Sequence, residues 1–181
     1  MYASVLRGKE LSIVFGTKLP VGERGKMRVQ KLYFISKRCD GCGACEVACL
    51  EKHSQSQSIF MTKMEQPSPQ PRIKVKKSGN QYWATVCQQC TEAMCVGACM
   101  AGAMQYSPTG EVIHNAKQCV GCFMCVMVCP FGAVLPLNEA KKAEKCDLCK
   151  DEKTPPCVGS CSRKALFYGT PEEYEMKVAG D

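Results

Sequence analysis

Apolar and polar positions alternate from Val29 to Ile35, which predicts a strand, and Ala165–Tyr168 predicts another near the far end of the chain. Two hairpins are predicted between them. Ala103–Tyr106 and Glu111–His114 flank the turn residues Ser107, Pro108, Thr109 and Gly110, while Arg72–Lys76 and Gln81–Val86 flank Ser78, Gly79 and Asn80. Trp83 falls in the second hairpin and is expected to pack there. The charged stretch Glu139–Lys145 favours a helical connector, and His53–Pro71 reads as a polar loop rich in Gln, Ser and Pro. Residues 1–28 carry Gly8, Gly16, Gly22, Gly25 and Pro20 without a sustained period. They predict an arm that docks on a partner, because Leu11, Ile13, Val14 and Phe15 would be a liability left in water.

Sixteen cysteines interrupt this pattern in four sets of four, with none left over. Set one is Cys39, Cys42, Cys45 and Cys49; set two is Cys87, Cys90, Cys95 and Cys99. Set three is Cys119, Cys122, Cys125 and Cys129; set four is Cys146, Cys149, Cys157 and Cys161. Three thiolates spaced two residues apart can wrap three irons of one cubane, and a fourth, three residues on, points along a helical turn toward a neighbouring cluster. Sets one and three have this tight spacing, and Pro130 follows set three. Gly41, Gly43 and Gly121 lie between ligands, where the missing Cβ lets backbone N–H groups turn toward sulfur. Set two widens one gap to four residues and set four widens one to seven, with Pro155 and Pro156 in the longer loop. For those two, a structural zinc-binding interaction module is the alternative, since separated CxxC arms suit a zinc tetrahedron. In the company of two tight sets, all sixteen thiols read as ligands of four [4Fe-4S] clusters.

Composition sharpens that picture. Aromatic residues make up 7% of the chain, thin for an ordinary core, so metal is expected to hold the fold together. The formal charge of +7 counts every cysteine as neutral. Four clusters at roughly −2 each bring the total to about −1, so the basic excess is an internal counter-charge. No stretch alternates aromatic and basic residues, and no nucleic-acid partner is expected. The uncharged run Cys119–Leu137 approaches the length of a membrane span, but it carries four ligand-spaced cysteines with Pro130 and Pro136, so no direct span is expected. Val5–Leu6 and Leu11–Phe15 are short and separated by Arg7, Lys9 and Glu10, which does not make a secretion signal. The expected location is cytoplasmic, where thiols stay reduced.

The remaining chemistry-bearing residues receive plain readings. His53 and His114 are read as solvated or hydrogen-bonded, and Met94, Met100, Met104, Met124 and Met127 as flexible apolar filler around the ligands. Arg38, Lys117 and Lys145 each precede the first ligand of a set by one or two residues and are read as solvated cations. A cation held nearby would favour a reduced cluster. No histidine, carboxylate pair or phosphate loop converges with the cysteines, so no catalytic residue is assigned.

The linkers group the sets. Sets two and three are joined by the short stretch Met100–Gln118, and the matching outer strands bring set one to set four. An α+β fold of two bacterial-ferredoxin-like units follows, with short hairpins and helices around the clusters. Sets one and four form an outer unit over residues 29–71 and 138–181, and sets two and three form an inner unit over residues 72–137 inserted within it.

The stretches CDGCGACEVAC (Cys39–Cys49), CQQCTEAMCVGAC (Cys87–Cys99), CVGCFMCVMVCPFGAV (Cys119–Val134) and CDLC (Cys146–Cys149), with Cys157 and Cys161, carry a family resemblance. The chain resembles the four-cluster iron-sulfur subunits of the dimethyl-sulfoxide-reductase type over roughly residues 30–168. It is more similar still to the small electron-transfer proteins of formate hydrogenlyase and of carbon monoxide dehydrogenase. Subunits of this kind also serve tungsten aldehyde oxidoreductases and benzoyl-CoA reductase complexes. The resemblance implies that Cys39, Cys42 and Cys45 join Cys161, and that Cys146, Cys149 and Cys157 join Cys49. It likewise implies that Cys87, Cys90 and Cys95 join Cys129, and that Cys119, Cys122 and Cys125 join Cys99. Leu50, Met100 and Ser162 depart from it, standing where a proline would follow the fourth ligand. The implied role is a non-catalytic subunit relaying electrons between a cytoplasmic catalytic oxidoreductase subunit of tungsten, molybdenum or nickel type and a flavin and NAD module or other redox partner. Self-association is a further possible contact.

Overall fold

The computed structural model describes residues 30–179; the arm expected over residues 1–28 lies outside the described residues. The chain forms four two-stranded antiparallel sheets and five short α-helices among the described residues. The mixture of short hairpins and helices expected from the sequence is the one observed. Strand β1 (Lys31–Phe34) pairs with β8 (Leu166–Gly169), setting Leu32 opposite Tyr168 and Phe34 opposite Leu166. Leu32 and Leu166 are both buried, so this pair joins segments far apart in the chain over a common core.

Helix α1 (Ala44–Lys52) follows, then the hairpin of β2 (Lys74–Ser78) and β3 (Gln81–Thr85). Alternation in β3 turns Tyr82 inward, where its carbonyl accepts the Ser36 hydroxyl at 2.8 Å. Trp83 therefore faces the other way, opposite Lys76, and is 55% exposed. The packing role expected for it is corrected, because a two-stranded ribbon has only one face to bury.

The next elements are helix α2 (Met94–Gly97), the hairpin of β4 (Met104–Tyr106) and β5 (Val112–His114), and helix α3 (Met124–Val128). Strands β6 (Val134–Leu137) and β7 (Lys142–Lys145) form the fourth pair. The helical connector expected over Glu139–Lys145 is thus overturned. A helix that short is marginal alone, whereas as a strand the segment pairs with β6 and buries Ala143 and Lys145.

Helix α4 (Pro156–Gly159) packs against α1, and the Ser160 hydroxyl donates to Ala44 O at 3.3 Å. Helix α2 packs against α3. Helix α5 (Pro171–Ala179) closes the described chain with a capping box: Thr170 N–H donates to the Glu173 carboxylate at 2.8 Å and Glu173 N–H to the Thr170 hydroxyl at 3.3 Å. Tyr174 of this helix stacks on Tyr33 of β1 with ring centroids 4.2 Å apart.

The core is built around thiols. Leu32, Ile73, Val86, Leu148 and Leu166 share one buried cluster with Cys45, Cys49, Cys87, Cys146 and Cys157, and a smaller cluster joins Met104, Val134 and Ala143 to Cys125. Among the described residues, no helix is long and apolar enough to cross a membrane.

Candidate metal centres

Each cysteine set is shaped by the same local device. The residue two positions after the first cysteine takes a left-handed backbone: Gly41 at φ 77°, Gln89 at 48°, Gly121 at 71° and Leu148 at 67°. The turn aims N–H groups inward, and those of Gly41 and Leu148 reach the sulfurs of Cys39 and Cys146. Glycine at positions 41 and 121 is required twice over. A Cβ at Gly41 would meet the Tyr82 ring at 2.2 Å, and one at Gly121 would meet Lys141 O at 2.2 Å. Gln89 and Leu148 hold the same conformation with a side chain attached, a strained choice that marks a functional turn. Sequence reasoning missed them, because only glycine advertises a left-handed position.

The third cysteine of each set then sits within the first two residues of a helix: Cys45 in α1, Cys95 in α2, Cys125 in α3 and Cys157 in α4. The fourth is held from behind. Three residues after Cys99, Cys129 and Cys161 the chain turns left-handed again at Gly102, Gly132 and Lys164. That turn sends the next N–H back to sulfur, from Ala103 to Cys99 at 3.2 Å, Ala133 to Cys129 at 3.4 Å and Ala165 to Cys161 at 3.2 Å. A strand leaves from each turn. Cys49 differs, because α1 runs on to Lys52, and its sulfur takes the Arg72 N–H at 3.3 Å.

The tertiary structure then gathers the sets. Cys39, Cys42, Cys45 and Cys161 line one cavity with Phe34, Val75 and Leu166, and Cys99, Cys119, Cys122 and Cys125 line another with Met104, Phe123 and His114. Burial pushes the Cys95 thiol up to about 11, with Cys87, Cys129 and Cys90 adding like-charge repulsion. Cys157 is driven far above the ordinary thiol range by burial, then by Cys49, Cys146 and Cys149. Bare thiolates are therefore costly here, and cationic iron is the group that would compensate them. The donor set fits iron-sulfur chemistry: soft sulfur ligands in fours, each fourth sulfur already taking an N–H. His114 Nε2 fits too, a buried polar atom without a hydrogen-bond partner among the described residues, on a residue lining the Cys99 cavity.

The four groups adjoin in series. Cys45 of the first contributes to the repulsion on Cys157, and Cys87 to that on Cys146. Cys95 and Cys129 pack against the cluster that holds Cys125.

Polar residues surround the second of these groups. The Asp147 carboxylate accepts Arg72 at 2.6 Å, His53 Nε2 at 3.2 Å and the Cys149 N–H at 3.1 Å. His53 Nδ1 lies 2.8 Å from Cys49 O and 3.7 Å from its sulfur. Burial alone would depress the His53 pKa, but Asp147 and the sulfurs of Cys149 and Cys49 favour the imidazolium and push it up to about 12. His53, Asp147 and Cys149 lie close enough to share a metal ion. The Arg72 and His53 bonds already engage that carboxylate, so His53 keeps the hydrogen-bonded role read from the sequence. His114 is instead depressed by burial and by the Lys145, Arg72 and Lys142 charges.

Two plain readings are corrected. Lys145 is not solvated: it is 3% exposed. Its Nζ donates to Val112 O at 2.5 Å and Cys146 O at 2.7 Å, because alternation in β7 turns it inward. Lys117 is exposed, and Arg38 donates to Lys164 O at 3.3 Å. Of the methionines read as filler, Met104 is buried, while Met94, Met100, Met124 and Met127 are exposed. Helices of four or five residues turn their cysteines inward, which leaves the residues between them facing out.

Comparison with known proteins agrees with this chemistry. Residues 79–170 match the family model described as a 4Fe-4S dicluster domain. The chain is 39% identical over 148 residues to the electron transport protein HydN of Escherichia coli K12, covering 73% of this chain and 83% of that protein. It is 37% identical over 139 residues to the putative oxidoreductase AegA of the same organism, covering 72% of this chain and 20% of AegA, so it spans only about a fifth of that relative. The active site complex BamBC of benzoyl coenzyme A reductase, solved with benzoyl-CoA, aligns at a TM-score of 0.43 and 22% identity over 84% of this chain and 88% of that one.

Proposed function

The chain belongs to the 4Fe-4S dicluster domain family, and from that premise we propose that it is an electron-transfer subunit holding four [4Fe-4S] clusters. The observation that supports this reading is the series of four adjoining groups of thiols. The ligands are Cys39, Cys42, Cys45 and Cys161; Cys49, Cys146, Cys149 and Cys157; Cys87, Cys90, Cys95 and Cys129; and Cys99, Cys119, Cys122 and Cys125. Bound clusters supply one-electron carriers. The chain's own contribution is to fix the thiolates, exclude water with Leu32, Ile73, Leu148 and Leu166, and donate N–H groups to the sulfurs. The β1–β8 and α1–α4 contacts support an outer unit of sets one and four, and the α2–α3 contact supports an inserted inner unit of sets two and three.

A series of carriers needs a donor at one end and an acceptor at the other. The partners in this reading are a catalytic oxidoreductase subunit of tungsten, molybdenum or nickel type and a flavin and NAD module, with the reaction itself performed elsewhere. Anaerobic metal analysis tests the proposal. About sixteen iron and sixteen sulfide per chain support it, and stoichiometric zinc with little iron replaces it with a structural zinc-binding module.

A further inference from the structure

An electron arriving at a cluster adds negative charge inside a low-dielectric interior, so a cation fixed nearby without solvent screening stabilises the reduced form. Most cations among the described residues cannot do this, because they sit at the surface or spend their charge on carboxylates. Lys52 pairs with Asp151 and Glu152, Arg72 with Asp147 and Glu144, and Arg163 with Asp40. Lys145 is different. It is almost wholly buried, and its two acceptors are the neutral carbonyls of Val112 and Cys146. Among the described residues, no carboxylate lies within ion-pair distance of it. Burying an ammonium with no anionic partner is expensive, and the cost calls for a compensating negative charge close by.

Its position supplies the candidate. Lys145 immediately precedes Cys146 of the group formed with Cys49, Cys149 and Cys157. Gln89, which lies between Cys87 and Cys90 of the group formed with Cys95 and Cys129, donates to the same Cys146 O at 3.3 Å and accepts the N–H of the same Val112 at 2.9 Å, and Cys87 shares a buried cluster with Cys146. The ammonium therefore stands at the seam between the two middle groups of the series. Pairing of β7 with β6 sets Lys145 opposite Val134 and holds it there. We propose that Lys145 is the fixed counter-charge at this seam, raising the reduction potentials of the two middle clusters above what their buried thiolate shells would otherwise give. The inference rests on the reading that these groups hold [4Fe-4S] clusters.

The test uses the full-length protein purified anaerobically with its clusters, and follows each cluster by electron paramagnetic resonance during a potentiometric titration. Lys145→Met removes the charge at similar length. Two of the four midpoint potentials should fall, shifting the oxidised-to-reduced ratio at fixed potential at least tenfold, which is about 59 mV for a one-electron couple. Lys145→Arg should keep all four near their original values, and Lys117→Met, which removes an exposed cation, should move none. Should the methionine variant lose iron, Lys145→Gln takes its place, keeping a donor for one carbonyl without the charge. Loss of iron from both neutral variants and its retention in the arginine variant also supports the counter-charge. Unchanged potentials in an iron-replete neutral variant overturn the proposal, as does iron loss from all three variants, which would reveal a packing requirement alone. Absence of iron-sulfur clusters from the unmodified protein would instead defeat the electron-transfer reading itself.

Discussion

The sulfur of Cys49 accepts the backbone N–H of Arg72 from across a long loop, whereas Cys129 takes the same kind of bond from Ala133 only four residues ahead. The difference arises because α1 continues through Lys52, where the chain after Cys129 turns at Gly132 and becomes a strand. The sulfur of Cys49 lies close enough to Cys157 to add like-charge repulsion to it.

Cys49→Ser is expected to damage the cluster of Cys146, Cys149 and Cys157, about a hundred positions away in sequence, and to spare that of Cys39, Cys42 and Cys45. Resonance spectra of the reduced protein distinguish the two outcomes. A loss confined to the Cys39 cluster would refute the crossed assignment.

Gly121→Ala should be far more damaging than Gly43→Ala. Both positions have left-handed backbone, which costs a substituted residue about 1 kcal/mol. At Gly121 the new methyl also meets the Lys141 carbonyl, whereas at Gly43 nothing lies within 4 Å. Iron content near three-quarters of the parent value is expected for Gly121→Ala, and full content with a small drop in melting temperature for Gly43→Ala.

Removing iron should unfold the protein rather than leave a folded apo form. Cysteines make up much of the main buried cluster, and aromatic side chains are few. Anaerobic chelation followed by circular dichroism should show the helical and strand signals lost together with the visible absorbance. A native-like apo spectrum would count against metal as the organiser of the core.

Glu111 ties the β4–β5 turn to set four through Lys150 at 2.9 Å, with the Ser107 and Thr109 hydroxyls on the same carboxylate. Burial alone would raise its pKa, but those three partners hold it down to about 2. A lowered carboxyl contributes stability that is complete above its unfolded pKa near 4.5 and is lost as pH falls through about 2. Glu111→Gln should therefore destabilise the protein at pH 7, by about 1–3 kcal/mol for charge-assisted bonds of this kind. Equal denaturation midpoints for the two proteins at pH 7 would show that the carboxylate contributes nothing.

Much of this molecule is legible before folding, because its determinants are local. Spacings of two residues between cysteines gather three thiols within one turn of backbone, and alternation with Gly, Ser and Asn turns marks both hairpins. The capping box Thr170-Pro171-Glu172-Glu173 is equally local. What only the tertiary structure decided depends on groups far apart in the chain. Pairing of Lys31–Phe34 with Leu166–Gly169 brings Cys161 to Cys39, Cys42 and Cys45, and no local spacing encodes that approach. Cross-strand pairing likewise overrode the helix-favouring composition of Glu139–Lys145, and in doing so carried Lys145 from solvent into the interior. Propensity acts over a few residues and is worth tenths of a kcal/mol at each, so where partners distant in sequence offer hydrogen bonds and burial, their contribution determines the conformation.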